Sequence, residues 1–103
     1  MTSREKWVMN TRNSVIRALV KEQVPMSAGA LEHNLDIDRW TDIGPHARTS
    51  REISAALRWA AKEGLADEVT ERTVFDPPGK LYEARWPIAQ RYAALHPRPE
   101  GIV

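Results

Sequence analysis

The sequence contains no cysteine. Disulfide bonds, thiolate nucleophiles and cysteine-ligated zinc sites are therefore excluded. The three histidines, His33, His46 and His96, are dispersed and lack the spacing of metal ligands. Three aspartates lie within residues 36–42, but this segment lacks the central glycine and the terminal glutamate of an EF-hand. We therefore expect the protein to need no metal and no other cofactor.

Long apolar runs are also missing. No run approaches the roughly 20 residues of a membrane-spanning helix, and no signal-type apolar stretch follows the polar residues 1–6. A glycine-rich phosphate loop and a serine nucleophile elbow are absent too. We therefore expect a cytoplasmic protein that has no membrane partner and is not an enzyme. The 103 residues suffice for one core, which predicts a single domain over 1–96 and a flexible tail over 97–103.

The sequence also lacks a large excess of positive or negative charge, since its net charge is only +1. The charges are unevenly distributed along the chain, however. Basic residues outnumber acidic ones in residues 1–24, 45–63 and 80–103, and acidic residues dominate residues 25–44 and 64–79. A local basic patch matters more for binding nucleic acid than the total charge does. The near-neutral total therefore does not exclude a nucleic-acid partner.

Apolar residues at helical spacing predict two helices in the first part of the chain. The first runs from Thr2 to Gln23, although the poor helix formers Asn10–Asn13 leave open a start near Thr11. The second is short, from Ser27 to Leu35, and Ser27 is a good N-cap. Residues 36–48 contain several helix breakers and are predicted to form a loop.

The clearest predicted element is a third helix over residues 49–63. Thr49 and Glu52 have capping-box spacing, and a glycine follows the last turn, where a left-handed residue is favoured. Two β-prone segments, Leu65–Phe75 and Leu81–Trp86, then flank a turn rich in proline and glycine. This pattern is typical of a β-hairpin.

A last helix is predicted after the hairpin. Pro87 can occupy its first position, and one side of it carries Ile88, Tyr92 and Leu95. Strand alternation places Trp86 on the same face as two apolar residues of the second strand, which predicts that Trp86 lies in the core. Trp59 lies on the flank of the third helix, where it could pack against the hairpin, the loop of residues 36–48 or a second subunit.

Three helices followed by a hairpin resemble the winged helix-turn-helix family of DNA-binding domains. The best-matching stretch is residues 49–68, which is similar to the recognition helix of small bacterial and phage regulators followed by the start of the wing. The resemblance implies an α+β, mostly helical fold: a three-helix core, a β-hairpin wing and an extra C-terminal helix. The loop of residues 36–48 departs from the family pattern, since a simple helix-turn-helix has a turn of about 3–4 residues.

The resemblance implies binding of double-stranded DNA, with helix 49–63 in the major groove and the wing, residues 72–80, on the backbone or minor groove. The face of the helix opposite its apolar stripe carries no acidic residue. Arginine can donate two hydrogen bonds to guanine there, and small residues permit close approach. A solvated helix face is the alternative interpretation. The candidate DNA-binding residues are Arg48, Ser50, Arg51, Ser54, Ala55, Arg58, Lys62, Arg72 and Lys80.

Three functions stay open from the sequence. The first is a transcriptional regulator that binds double-stranded DNA. The second is a winged-helix module for protein–protein interaction, which the near-neutral charge favours. The third is an architectural or recombination accessory factor, such as the winged-helix excisionases of phages. Two apolar stripes could form a homodimer, or could cover one another within one chain. These stripes are Ile88, Tyr92 and Leu95, and Trp7 and Val8.

Overall fold

The computed structural model describes residues 2–32, 50–69 and 80–97. The protein is α+β and mostly helical, with one small antiparallel sheet. In chain order its elements are helix α1 (Ser3–Glu22), helix α2 (Ala28–Glu32), helix α3 (Ser50–Lys62), strand β1 (Ala66–Val69), strand β2 (Leu81–Ala84) and helix α4 (Ile88–Leu95). Among these described helices, none has both the length and the apolar character needed to cross a membrane.

Several predictions concern residues outside the described segments. They include the end of the second helix at Leu35, the loop of residues 36–48, the capping role of Thr49, the hairpin tip and the tail beyond residue 97.

Helix α1 forms over nearly its full predicted length. The Thr2 side chain caps it by accepting a hydrogen bond of 3.2 Å from the backbone N–H of Glu5. Gln23 ends it in the left-handed conformation, with φ 57°. The alternative start near Thr11 is wrong, because the poor helix formers in the middle of α1 are buried against the rest of the protein. Tertiary packing outweighs their weak helix propensity.

The core lies between α1, α2 and α3. From α1 it takes Val15, Ile16 and Leu19, and from α2 it takes Leu31. The residues that α3 contributes recur at helical spacing and are all buried: Ile53, Ala56, Leu57 and Ala60. Burial of this stripe fixes the rotation of α3, and therefore fixes which of its residues face outward.

The sheet connects the two strands to the segment between α1 and α2. Strands β1 and β2 pair antiparallel, with Ala66 opposite Ala84 and Val69 opposite Leu81. On the other side of β2, Tyr82 pairs with Met26 through backbone hydrogen bonds of 2.8 and 2.9 Å. Strand β2 therefore lies between β1 and Met26.

Gly64 connects α3 to β1 through a turn that requires a left-handed residue. Its φ is +75°, and its N–H donates to Ala61 O at 3.2 Å while the N–H of Leu65 donates to Ala60 O at 2.8 Å. These two hydrogen bonds form a Schellman motif, which ends the helix and satisfies its last carbonyls. The predicted role of this glycine is confirmed.

Substitution of Gly64 should test this turn. We expect Gly64→Ala to lower the free energy of unfolding by about 1–2 kcal/mol, because a Cβ disfavours the left-handed conformation. Gly64→Asn should cost less, since asparagine tolerates this conformation better. Urea denaturation followed by circular dichroism measures both. Equal stability of the alanine variant and the wild type would contradict the assignment.

Helix α4 packs on α1, but not with the face that the sequence predicts. Ala89 is fully buried and Tyr92 is half-buried, whereas Ile88 is 41% exposed and Leu95 is 77% exposed. The buried side therefore follows Ala89, Tyr92 and Ala93, at i, i+3 and i+4. The helix begins one residue later than predicted, with Pro87 as its N-cap.

Polar contacts also hold α4 against α1. The Tyr92 hydroxyl donates to Asn13 Oδ1 at 2.6 Å, and Arg17 Nη1 donates to the carbonyl oxygen of His96 at 2.8 Å. Tyr92 thus contributes to intramolecular packing, rather than to the exposed dimer stripe that the sequence suggested.

Trp86 corrects a second prediction, since it is 46% exposed and does not lie in the core. Strand β2 ends at Ala84, and Trp86 and Pro87 form a turn before α4. The alternation that buries Tyr82 and Ala84 therefore stops before it reaches Trp86.

The hydrogen bond between Tyr92 and Asn13 generates a further prediction. We expect Tyr92→Phe to lower the free energy of unfolding by about 1–2 kcal/mol, because it leaves the side-chain carbonyl of Asn13 without its donor. Leu95→Ala is the matched control in the same helix, and it should change stability by less than about 0.5 kcal/mol because its side chain is exposed. Thermal and urea denaturation measure both. An equal effect of the two variants would show that the hydrogen bond is not what holds α4.

Candidate nucleic-acid interface

The outer face of α3 carries an exposed stripe. Arg51, Ala55, Arg58 and Lys62 are all exposed, and they follow one another at i, i+4, i+7 and i+11 along the helix. With about 100° per residue, this spacing aligns them along one side of the helix, opposite the buried stripe. We call these four residues the α3 stripe. At about 1.5 Å per residue it is roughly 16 Å long.

The α3 stripe has a cationic surface with a small residue at its centre. In the described part of the chain, no carboxylate forms an ion pair with Arg51, Arg58 or Lys62. Glu52 lies on the flank of α3, where its carboxylate accepts a hydrogen bond from the indole Nε1 of Trp7. The stripe therefore offers its three positive charges to solvent or to an anionic partner.

The structure brings only part of the predicted site together. Ser54 is half-buried, at the edge of the α3 stripe, and Ser50 is the first residue of α3. Arg48 and Arg72 lie outside the described residues. Lys80 is exposed at the start of β2, but its Nζ lies 3.9 Å from Glu68 Oε2 on the neighbouring strand. Glu68 thus offsets part of the charge that Lys80 contributes to the hairpin.

Trp59 anchors the flank of α3, a role that the sequence left undecided. The guanidinium of Arg12, in α1, lies over its ring at 5.0 Å from the centroid. The ring of Tyr92, in α4, contacts it edge-on at 6.0 Å, and His96 stacks on Tyr92 at 4.1 Å. These contacts tie α3 to α1 and α4. Trp59 is therefore a packing residue and does not belong to the α3 stripe.

Burial and the nearby arginines shift the pKa of the Tyr92 hydroxyl in opposite directions. Burial raises the pKa of Tyr92, while the nearby positive charges of Arg12 and Arg17 oppose this rise. The net effect is a raised pKa, which favours the protonated hydroxyl that donates to Asn13.

An ion pair spans the base of the hairpin. The Arg85 guanidinium donates to both carboxylate oxygens of Asp67, on the paired strand. This hydrogen bonding holds the pKa of Asp67 below its ordinary value and raises that of Arg85. The pair is exposed to solvent, which limits its contribution to stability. It links Asp67 in β1 to Arg85, the residue that follows β2.

The lowered pKa of Asp67 predicts a pH dependence. A carboxylate whose pKa is lower in the folded state stabilises that state above its ordinary pKa, near pH 4. This stabilisation is lost as the pH falls through the lowered value. We therefore expect Asp67→Asn to be slightly less stable than the wild type at pH 7, and the difference to shrink as the pH falls through the lowered pKa of Asp67. Urea denaturation at a series of pH values from 7 downward measures it. A difference that grows on acidification would contradict the ion pair.

A metal site is not found within residues 2–32, 50–69 and 80–97, where no group of three histidine, aspartate or glutamate side chains could hold an ion. No protein-family model matches the chain, and no curated protein or solved structure matches it either. The candidate site therefore stands on the residues and their geometry alone.

Proposed function

We propose that this protein binds double-stranded DNA, with the α3 stripe in the major groove. The observation that carries the proposal is the exposed, acid-free alignment of Arg51, Ala55, Arg58 and Lys62 along one rigid helix. B-DNA admits a single α-helix into its major groove, which is about 12 Å wide. Two arginines can there read guanine edges, while the lysine contacts phosphate.

The support of α3 favours a recognition role. Its inner side is held by fully buried residues such as Ile53 and Leu57, and its flank is held by Trp59. A helix fixed on its inner side and one flank loses little conformational freedom on binding. Ala55, at the centre of the α3 stripe, leaves room for the helix axis to approach the bases.

The order of the elements also supports the proposal. Within the described residues, helices α1, α2 and α3 are followed by the paired strands β1 and β2, and Met26, between α1 and α2, pairs with the far side of β2. This order is compatible with a winged helix. In such a fold the third helix presents its outer face to the major groove, and the hairpin lies beside it. We therefore propose the winged helix as the fold, and a role in transcription regulation as the biological use.

A double substitution in the α3 stripe tests the proposal. We expect Arg51→Ala together with Arg58→Ala to weaken binding to a duplex selected from a random pool by about 2–6 kcal/mol, or about 1–3 for each residue. The matched control removes two exposed cations elsewhere, Lys21→Ala and Arg91→Ala, and changes the net charge equally. Fluorescence anisotropy across a series of salt concentrations measures both, after circular dichroism has confirmed folding.

The comparison between the two double variants decides the assignment. Binding should fall strongly for the α3 variant and only slightly for the control. Equal losses would reduce the role of the α3 stripe to general electrostatic attraction, and unchanged affinity of the α3 variant would exclude it as the DNA-binding face. A further variant, Arg58→Lys, keeps the charge but removes the paired donors of the guanidinium. It should reduce sequence preference while leaving the salt dependence almost unchanged.

A further inference from the structure

The first turns of α1 extend beyond the core. Arg4, Glu5, Val8 and Met9 are exposed, whereas the helix is buried on most sides from Asn10 onward. Val8 and Met9 are apolar, and 38% and 39% of their respective surfaces remain exposed. An open groove lies along this part of the helix, lined by Arg4, Glu5, Val8, Met9 and Arg12.

The exposed apolar residues continue the core-facing side of α1. At about 100° per residue, Val8 and Met9 fall within roughly 120° of Val15, on the same side as Ile16 and Leu19. In the second half of α1 this side is covered by the core. In the first half, Val8 and Met9 have the same orientation but remain exposed.

We infer that this face of α1 pairs with the same face of a second copy of the chain, antiparallel and about a two-fold axis that passes between Val8 and Met9. We call the four residues that carry the pairing, Glu5, Val8, Met9 and Arg12, the α1 patch. Contacts across a two-fold axis are reciprocal. Residues equally distant from the axis therefore face one another, so that Val8 meets Met9 and Glu5 meets Arg12 of the second copy.

The charges select this position of the axis. Moving the axis to Val8 would place Arg4 opposite Arg12, and such like charges repel one another. Moving it to Met9 would place Glu5 opposite Asn13, which is buried and carries no charge. Only the axis between Val8 and Met9 combines an apolar centre with an attractive pair of charges on each side.

Arg12 can take part without giving up its contact within the chain. Its Cζ lies over the Trp59 ring, 5.0 Å from the centroid. A guanidinium carries five N–H donors, so one that lies over an aromatic ring can still donate to a carboxylate. Trp7 is not part of the α1 patch, because its indole donates to Glu52 in α3. Of the apolar stripe predicted from Trp7 and Val8, only Val8 therefore remains in the interface.

The interface is small. Two apolar side chains per copy bury far less than the roughly 800 Å² per partner of a stable complex. We expect weak, reversible association, with a dissociation constant on the order of 0.1–1 mM. This inference goes beyond the proposed function and does not depend on it, because the association occurs without DNA.

Exchange of the charges tests the pairing. Sedimentation of the wild type up to about 1 mM should show a monomer–dimer equilibrium. Glu5→Lys and Arg12→Glu should each lose it, since each places like charges against one another at both ends of the α1 patch. A mixture of the two variants should associate again, because unlike charges then meet at both ends. Glu22→Lys, with the same charge change at the exposed far end of α1, is the control and should associate like the wild type.

Met9→Glu provides a second test that leaves Arg12 and its contact with Trp59 unchanged. It should weaken self-association at least tenfold, because it places a charge at the apolar centre, while the circular dichroism spectrum stays that of the wild type. A wild-type chain that stays monomeric up to about 1 mM would overturn the inference. Dimers that persist in Met9→Glu would also overturn it, and would assign the contact to another surface such as Ile88 and Leu95.

Discussion

Burial of the apolar stripe of α3 against α1 is the contact on which the rest of the structure depends. Ile53 and Leu57 are fully buried, as are Val15 and Ile16 in α1. Burial of one side of a helix fixes the rotation of the helix about its own axis. The contact that buries these residues therefore also turns Arg51, Arg58 and Lys62 outward, so that packing of the core determines the orientation of the candidate DNA-binding surface.

The other contacts of α3 restrict the movement of that surface. Gly64 ends the helix and directs the chain into β1, so that the hairpin begins next to the last turn. Within α3 itself, Trp59 links the helix to Arg12 and Tyr92. Helix α4 is thus part of the support of α3, although it is the last of the described elements in sequence. The proposed function places demands on this support, because DNA recognition needs a helix held in one orientation.

Much of this arrangement could be predicted from the sequence, because it depends on local patterns. Helical periodicity identified α1 and α3, and the position of Ile53 on the helical wheel indicated the outer face of α3. The glycine after α3 and the two β-prone segments predicted the turn and the hairpin. Residues 51, 55, 58 and 62 were identified as outward-facing by the same periodicity, and all four are exposed.

The missed features depend on contacts between distant segments. Helix α4 is short, and its buried residues Ala89 and Ala93 give a weaker periodic signal than the larger Ile88 and Leu95, which are exposed. Trp86 was predicted to be buried because the pattern of β2 gives no sign of where the strand ends. The partners of Trp59 lie far away in the chain, so its own helix could not reveal them. The exposure of Ser54 was overestimated, since it lies at the border between the two faces.

The central claim is that the protein binds duplex DNA through the outer face of α3. Titration of the isotope-labelled protein with a selected duplex, followed by heteronuclear NMR, tests it most directly. We expect the largest chemical-shift changes at Arg51, Ala55, Arg58 and Lys62, while exposed residues of α4 such as Arg91 should change little. Changes that are absent, or that are confined to surfaces away from α3, would contradict it.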